Sequence, residues 1–221
     1  MTLYETEWTR QKLRTGVPDG HLPVHRWYLR HDDPTSLTKP EAPHPALTIM
    51  RAVRPTIDFY RFLYHTVGED YLWGDRRRMD DATLMADVHR ETTHVMVLYR
   101  DGVPAGFYQL DYAPKPRKPD DPPSAEIAYF GLLPGFTGGG LGSYMLARAV
   151  EQAAVANKPV TLNTCTLDHP VALQNYLKRG FVIIDEDDEF YPDPRLDGTI
   201  APTAAKQVPT VAELEKARLA I

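Results

Sequence analysis

Six of the chain's 14 glycines fall between Gly131 and Gly142, and that cluster constrains the fold more than any other feature. Ahead of it, Ala125 to Leu133 reads as a strand. Behind it, Leu141, Met145, Leu146, Ala149, Val150 and Ala153 recur at helical spacing up to Ala154. The chain therefore passes from strand to helix through a loop with few side chains. Gly138, Gly139, Gly140 and Gly142 let backbone amides approach a ligand with no Cβ in the way, and the helix offers its free N–H groups and positive dipole end at the same place. Such a junction is an anion site, with phosphate the expected occupant. Two rival phosphate motifs fail on spacing. No lysine lies between Gly131 and Arg148, which excludes GxxxxGK[ST]; Ser143 stands at the third glycine position of GxGxxG, and no acid closes the next strand.

Strand and helix periods alternate around this junction. Residues 46–53 form a short apolar run. Pro55 then permits a helix whose Ile57, Phe59, Tyr60, Phe62, Leu63 and Val67 cover a broad face, and Asp80 or Asp81 caps a second helix through Leu84, Met85 and Val88. Residues 94–99 and 105–112 flank Asp101-Gly102, the signature of a β-hairpin. Residues 160–166 read as a strand, 170–179 as a short helix with Pro170 at its start and Gly180 just past its end, and 181–184 as a final core strand. Thr210 with Glu213 makes a capping box for a terminal helix.

Proline sets the expected boundaries. Pro18, Pro23, Pro34, Pro40, Pro43 and Pro45 precede any clear period, so residues 1–45 read as an amino-terminal arm. Trp8, Trp27 and Tyr28 imply that the arm packs on something. Residues 46–191 form the expected domain, and residues 192–221 a loose carboxyl extension ending in a short helix. A net charge of -5 argues against a broad nucleic-acid face, and no apolar run approaches the length of a membrane span. Cys165 is the single cysteine, which excludes an internal disulfide and fits a reducing cytoplasm. No histidine spacing points to a metal.

The run Glu126-Ile127-Ala128-Tyr129-Phe130-Gly131-Leu132-Leu133-Pro134-Gly135-Phe136-Thr137-Gly138-Gly139-Gly140-Leu141-Gly142 resembles the coenzyme A loop of the GNAT superfamily of N-acyltransferases. Gly140 and Gly142 match the family pattern, while Thr137 stands where Arg or Gln is usual. Downstream, His169-Pro170-Val171-Ala172-Leu173-Gln174-Asn175-Tyr176-Leu177-Lys178-Arg179-Gly180-Phe181 resembles a second family segment, with His169 in place of Asn. The resemblance spans about residues 46 to 191. It implies an α/β (α+β) fold with a mixed, mostly antiparallel central sheet flanked by helices, whose two middle strands splay to admit the pantetheine arm of acetyl-CoA. It also implies cofactor contacts from Leu132 and Leu133 on the strand, from Thr137, Gly138, Gly139, Gly140, Leu141, Gly142 and Ser143 at the loop, and from His169 and Asn175 downstream. One amide near Leu132 or Leu133 would polarise the thioester carbonyl.

The implied activity is acetyl transfer from acetyl-CoA to a primary amine of a small molecule in a ternary complex, with no metal. Tyr176 stands where the family has the tyrosine that returns a proton to the coenzyme A sulfur. Glu126 is the expected base, because simple alternation puts Glu126, Ala128, Phe130 and Leu132 on one face of the strand. Asp168 and His169 are the fallback bases. Tyr71, Trp73, Asp75 and the triplet Arg76-Arg77-Arg78 are expected to shape the acceptor site, the arginines holding an acidic group. The acidic run from Asp185 to Glu189 would instead favour a cationic amine. Two other readings stand beside this: a module that binds acyl-CoA without turnover, and a protein amine as acceptor. No nucleic acid or membrane partner is expected, while the aromatic arm and Pro-rich tail offer surfaces for a homodimer.

Overall fold

The computed structural model describes residue 12, residues 16–36 and residues 41–219. Trp8 and Pro40 lie outside the described residues. Seven strands form one sheet: β1 (His21–His31), β2 (Leu47–Ala52), β3 (Thr93–Arg100), β4 (Val103–Asp111), β5 (Ala125–Leu132), β6 (Val160–Cys165) and β7 (Val182–Pro192). Among the described residues, helices α1 (Ile57–Gly68), α2 (Asp75–Arg78), α3 (Asp81–Val88), α4 (Leu141–Ala153), α5 (Ala172–Lys178) and α6 (Val211–Leu219) flank it. The strand order is β2-β3-β4-β5-β6-β1-β7. Every pairing is antiparallel except β5 with β6.

Local signals explain most of the elements. Thr56 caps α1 by accepting from the Phe59 N–H, and Asp80 caps α3 by accepting from Thr83. Asp101 and Gly102 both have positive φ, at 52° and 82°, as a tight hairpin turn between β3 and β4 requires. Thr210 and Glu213 exchange the two bonds of a capping box. The short helix α5 begins at Ala172, two residues later than proline alone indicates. Gly180 follows it at φ 85°.

The segment read as an arm is an inner strand. β1 lies between β6 and β7, pairing β6 from Arg26 to His31 and β7 from His21 to Arg30. Pro23 hides this in the sequence, yet it sits in the stretch paired on one side only, where a missing N–H is tolerated. The expected core strand at 181–184 is likewise different. β7 is an edge strand that runs to Pro192, with Val182, Ile183 and Ile184 exposed. Side chains of neighbouring segments meet its acidic run: Asp185 meets Arg117 and Lys118, Glu186 and Asp188 meet the His25 ring, and Glu189 meets Arg26.

Three apolar clusters cover the sheet. α4 packs on one face through Met145, Leu146, Ala149 and Val150 against Ala125, Ile127, Leu110 and Leu162. α1 and α3 cover the other face of β3 to β5, with Tyr60, Leu63, Tyr64, Val67 and Leu84 against Val95, Val97 and Phe107. The carboxyl extension is not loose: Ile200, Ala205, Val208 and Leu214 pack on Leu22 and Val24 of β1, with Leu72 and Leu167. This third cluster places the carboxyl segment over one end of the open half of the sheet.

Candidate active site

β5 and β6 are paired only at Ala125 with Val160 and Glu126 with Thr161, and beyond that point they diverge. A cavity of about 960 Å³ follows the gap. Its lining runs from Thr137, Gly138, Gly140, Gly142 and Ser143 at the loop, past Ile127 to Leu132 on β5 and Leu162, Asn163 and Cys165 on β6. It ends among Tyr28, Tyr64, Tyr71, Trp73, Tyr129 and Tyr191.

The loop end suits an anion. Gly138, Gly139 and Gly140 have φ of 92°, 58° and 80°, and a Cβ on Gly138 or Gly139 would meet nothing within 4 Å, so the backbone lies open. No side chain caps the first turn of α4; the Leu141 N–H donates to Gly138 O, which leaves the Gly142 and Ser143 N–H groups to a ligand. Arg179, just after α5, donates to Ser143 Oγ and so brings a guanidinium to this turn. Lys178 lines the same cavity. Spacing from the glycine loop could not reveal either cation, because α5 is brought to the N-terminus of α4 only by the fold.

Of the expected cofactor residues, Leu132, Thr137, Gly138, Gly140, Gly142, Ser143, His169 and Asn175 line the cavity. Leu133, Gly139 and Leu141 do not. Leu133 is buried in the cluster under α1, and its N–H donates to Ala105 O at 2.9 Å, so its amide belongs to β4. Strand alternation then turns the Leu132 backbone groups toward the gap. Leu141 points its side chain into the core beneath α4.

The expected facing of Glu126 is overturned by a bulge. β4 Gln109 pairs with Tyr129 and Leu110 with Ile127, so Ala128 is the extra residue on β5. Phe130 and Leu132 therefore pack with α4, while Glu126 shares the opposite face with Tyr129. Glu126 sits at the closed end of the gap and lines an adjoining cavity of about 500 Å³, which shares Tyr28, Leu162 and Asn163 with the first. Burial, reinforced by the charge of neighbouring Asp111, raises its carboxyl above the usual range.

Tyr176 lines the main cavity and is buried, with its ring edge-on to Phe130 and Phe181 at centroid distances of 6.3 and 6.1 Å. Burial holds its phenol protonated well above the ordinary tyrosine range. Asp168 accepts from Thr164 Oγ1 at 2.7 Å and from the Cys165 N–H at 3.0 Å, and burial raises its carboxyl despite these bonds. The Cys165 thiol is pushed up to about 12, again mainly by burial, so it stays protonated at neutral pH.

The arginine triplet does not face the acceptor end. Arg76 is buried between Tyr60 and Tyr129, with its guanidinium carbon 4.4 Å from the Tyr129 ring centre, and it pairs with Asp87. Arg77 pairs with Glu69 and Arg78 with Asp197. The short helix α2 turns all three cations away from the cavity, while Asp75 at its start lines it. The aromatic end of the cavity therefore carries Asp75, Asp168 and Glu189, with Arg26 as the cation paired to Glu189.

The profile of the Acetyltransferase (GNAT) family matches residues 58–181, more than half of the chain. The chain belongs to this acetyltransferase family. Solved structures agree on the fold. A functionally unknown conserved protein from Staphylococcus epidermidis superposes with a TM-score of 0.54 at 18% identity, covering 85% of this chain and 68% of that one. A GCN5-related N-acetyltransferase from Kribbella flavida gives 0.51 at 18% identity, covering 81% of this chain and 63% of its own. Another from Sphaerobacter thermophilus gives 0.53 at 16% identity, over 76% of this chain and 51% of its own. No curated protein matches the sequence. Among the described residues, no helix is long and apolar enough to cross a membrane, and no cluster of His, Cys, Asp or Glu is arranged to hold a metal.

Proposed function

We propose that this acetyltransferase moves an acetyl group from acetyl-CoA to the primary amine of a small molecule, by direct attack in a ternary complex. The observation that carries the reading is one continuous cavity that joins an uncapped, glycine-lined helix N-terminus to an aromatic chamber with three carboxylates. The first end takes a pyrophosphate on the amides of Gly138 to Ser143, and Lys178 and Arg179 supply the positive charge that Thr137 lacks. The Leu132 backbone, free of β4, pairs with pantetheine across the gap. Acetyl-CoA supplies the activated thioester and the leaving thiolate.

The chain's own residues then handle protons. Tyr176, held neutral by burial, is the acid of this reading and protonates the departing sulfur. Glu126 is the base, since a carboxyl with a raised pKa takes a proton from an ammonium more readily than an ordinary one, and Asp168 is the second candidate. With Arg76, Arg77 and Arg78 each engaged by a carboxylate, the chamber favours a cationic amine over an acidic acceptor. Calorimetric titration of acetyl-CoA, with coenzyme A and NADH as comparisons, followed by thiol release over an amine panel, tests the reading. Micromolar acetyl-CoA binding and amine-dependent thiol release are expected; absence of acetyl-CoA binding refutes it.

A further inference from the structure

The inserted strand β1 brings a group to the gap that neither family segment contains. Arg26 of β1 donates through Nη1 to Asn163 Oδ1 at 2.6 Å, and its Nη2 is held by Glu189 of β7. Register puts these side chains on one face: Arg26 opposes Cys165 on β6 and Asp187 on β7, and Asn163 and Glu189 each lie two residues away along those strands. This is the face that Glu126 and Tyr129 share across the gap. An amide can be turned either way, but a guanidinium has only donors, so it can donate only to the oxygen of Asn163. With Oδ1 taken by Arg26, Nδ2 is the donor end left over, and among the described residues no protein group accepts from it. Asn163 also lines both cavities, so this N–H pair stands where they meet.

We propose that Asn163 is a specificity-determining residue for the acceptor, donating Nδ2–H to an oxygen carried beside the reacting amine. Arg26, itself fixed by Glu189, is the positioning residue that takes Oδ1 and leaves the donor end to the acceptor. The inference rests on the acetyltransfer reading and narrows its substrate class: amines bearing a neighbouring hydroxyl or carbonyl oxygen, in preference to plain alkyl amines. A donor fixed before binding discriminates, because an acceptor without the oxygen displaces water from the N–H without replacing its hydrogen bond.

The test compares 2-amino alcohols with alkyl amines of equal length, by kcat/KM in a thiol-release assay, for the wild type, Asn163→Ala and Asn163→Asp. Acetyl-CoA binding and melting temperature are read for each protein. Aspartate keeps and strengthens the tie to Arg26 but has no N–H, so it separates a structural role from a donor role. The wild type is expected to prefer the amino alcohol by roughly tenfold or more. Both variants should lose that preference while binding acetyl-CoA as before. Retained preference in Asn163→Asp overturns the proposal, as does an equal fall of kcat on every amine, which would assign the donor to the thioester instead. Acetyl-CoA binding and turnover without any preference in the wild type defeats this inference alone; no binding defeats the acetyltransfer reading as well.

Discussion

Gly131→Ala should destabilise the protein through a single contact. Gly131 lies on β5 beside the gap, and a Cβ there would stand 2.3 Å from Val67 Cγ1 of α1, against 3.4 Å for the closest ordinary contact. The two groups must separate by about 1.1 Å, from the difference of those distances. Val67 cannot swing aside, because a β-branched residue in a helix has one preferred rotamer and this one is 2% exposed. Overpacking of this kind costs about 1–3 kcal/mol. At roughly 2–4 °C per kcal/mol for a chain of this size, the melting temperature should fall by about 2–12 °C. Denaturant unfolding of Gly131→Ala, Val67→Ala and the double variant forms a cycle. Val67→Ala alone should cost about 1.5–3 kcal/mol by lost burial, whereas the double variant should cost at least about 1 kcal/mol less than the sum of the two single costs. Strict additivity, or a wild-type melting temperature in Gly131→Ala, would refute the contact. A shift of α1 also moves Tyr64, which packs on Trp73 and Tyr129 at 5.3 and 5.2 Å, so acceptor KM should rise more than acetyl-CoA KM.

Three further variants have expected outcomes. Tyr176→Phe should lower kcat by roughly 100-fold or more while leaving acetyl-CoA affinity unchanged in calorimetry; an unchanged kcat removes Tyr176 from proton transfer. Arg179→Ala should weaken acetyl-CoA binding by roughly 10- to 150-fold, the equivalent of about 1.5–3 kcal/mol for a bond to a charged group, with partial rescue by Arg179→Lys. Glu126→Gln should move the kcat/KM profile toward higher pH, since the amine must then shed its proton unaided, and an identical profile rejects Glu126 as the base. The same variant should also change stability. A carboxyl whose folded pKa is raised binds more protons when folded than unfolded, so the wild type loses stability as pH rises from the ordinary carboxylate range through the raised value. Glu126→Gln should therefore melt higher than wild type at pH 8 and converge with it at low pH.

Sequence-local signals specified the elements whose causes lie within a few residues. The strand-to-helix glycine junction, the Asp101-Gly102 hairpin, the Asp80 cap and the Thr210–Glu213 box all depend on φ preference, capping chemistry or apolar period, and each stands where its residues place it. Gly138, Gly140 and Gly142 on the cavity wall were legible for the same reason, whereas Thr137, Ser143 and Tyr176 were reached only through the family resemblance. What the tertiary structure decided depends on partners far away in the chain. The bulge at Ala128 turns Glu126 onto another face because β4 and β5 must keep two registers along one ladder. α2 turns its three arginines toward Asp87, Glu69 and Asp197 because each cation gains a carboxylate there. Most of all, β1 enters the sheet between β6 and β7, where His25 meets Asp188 and Arg26 pairs with Glu189. No local periodicity encodes that placement, since the match of charge and register exists only once residues more than 130 positions apart are side by side.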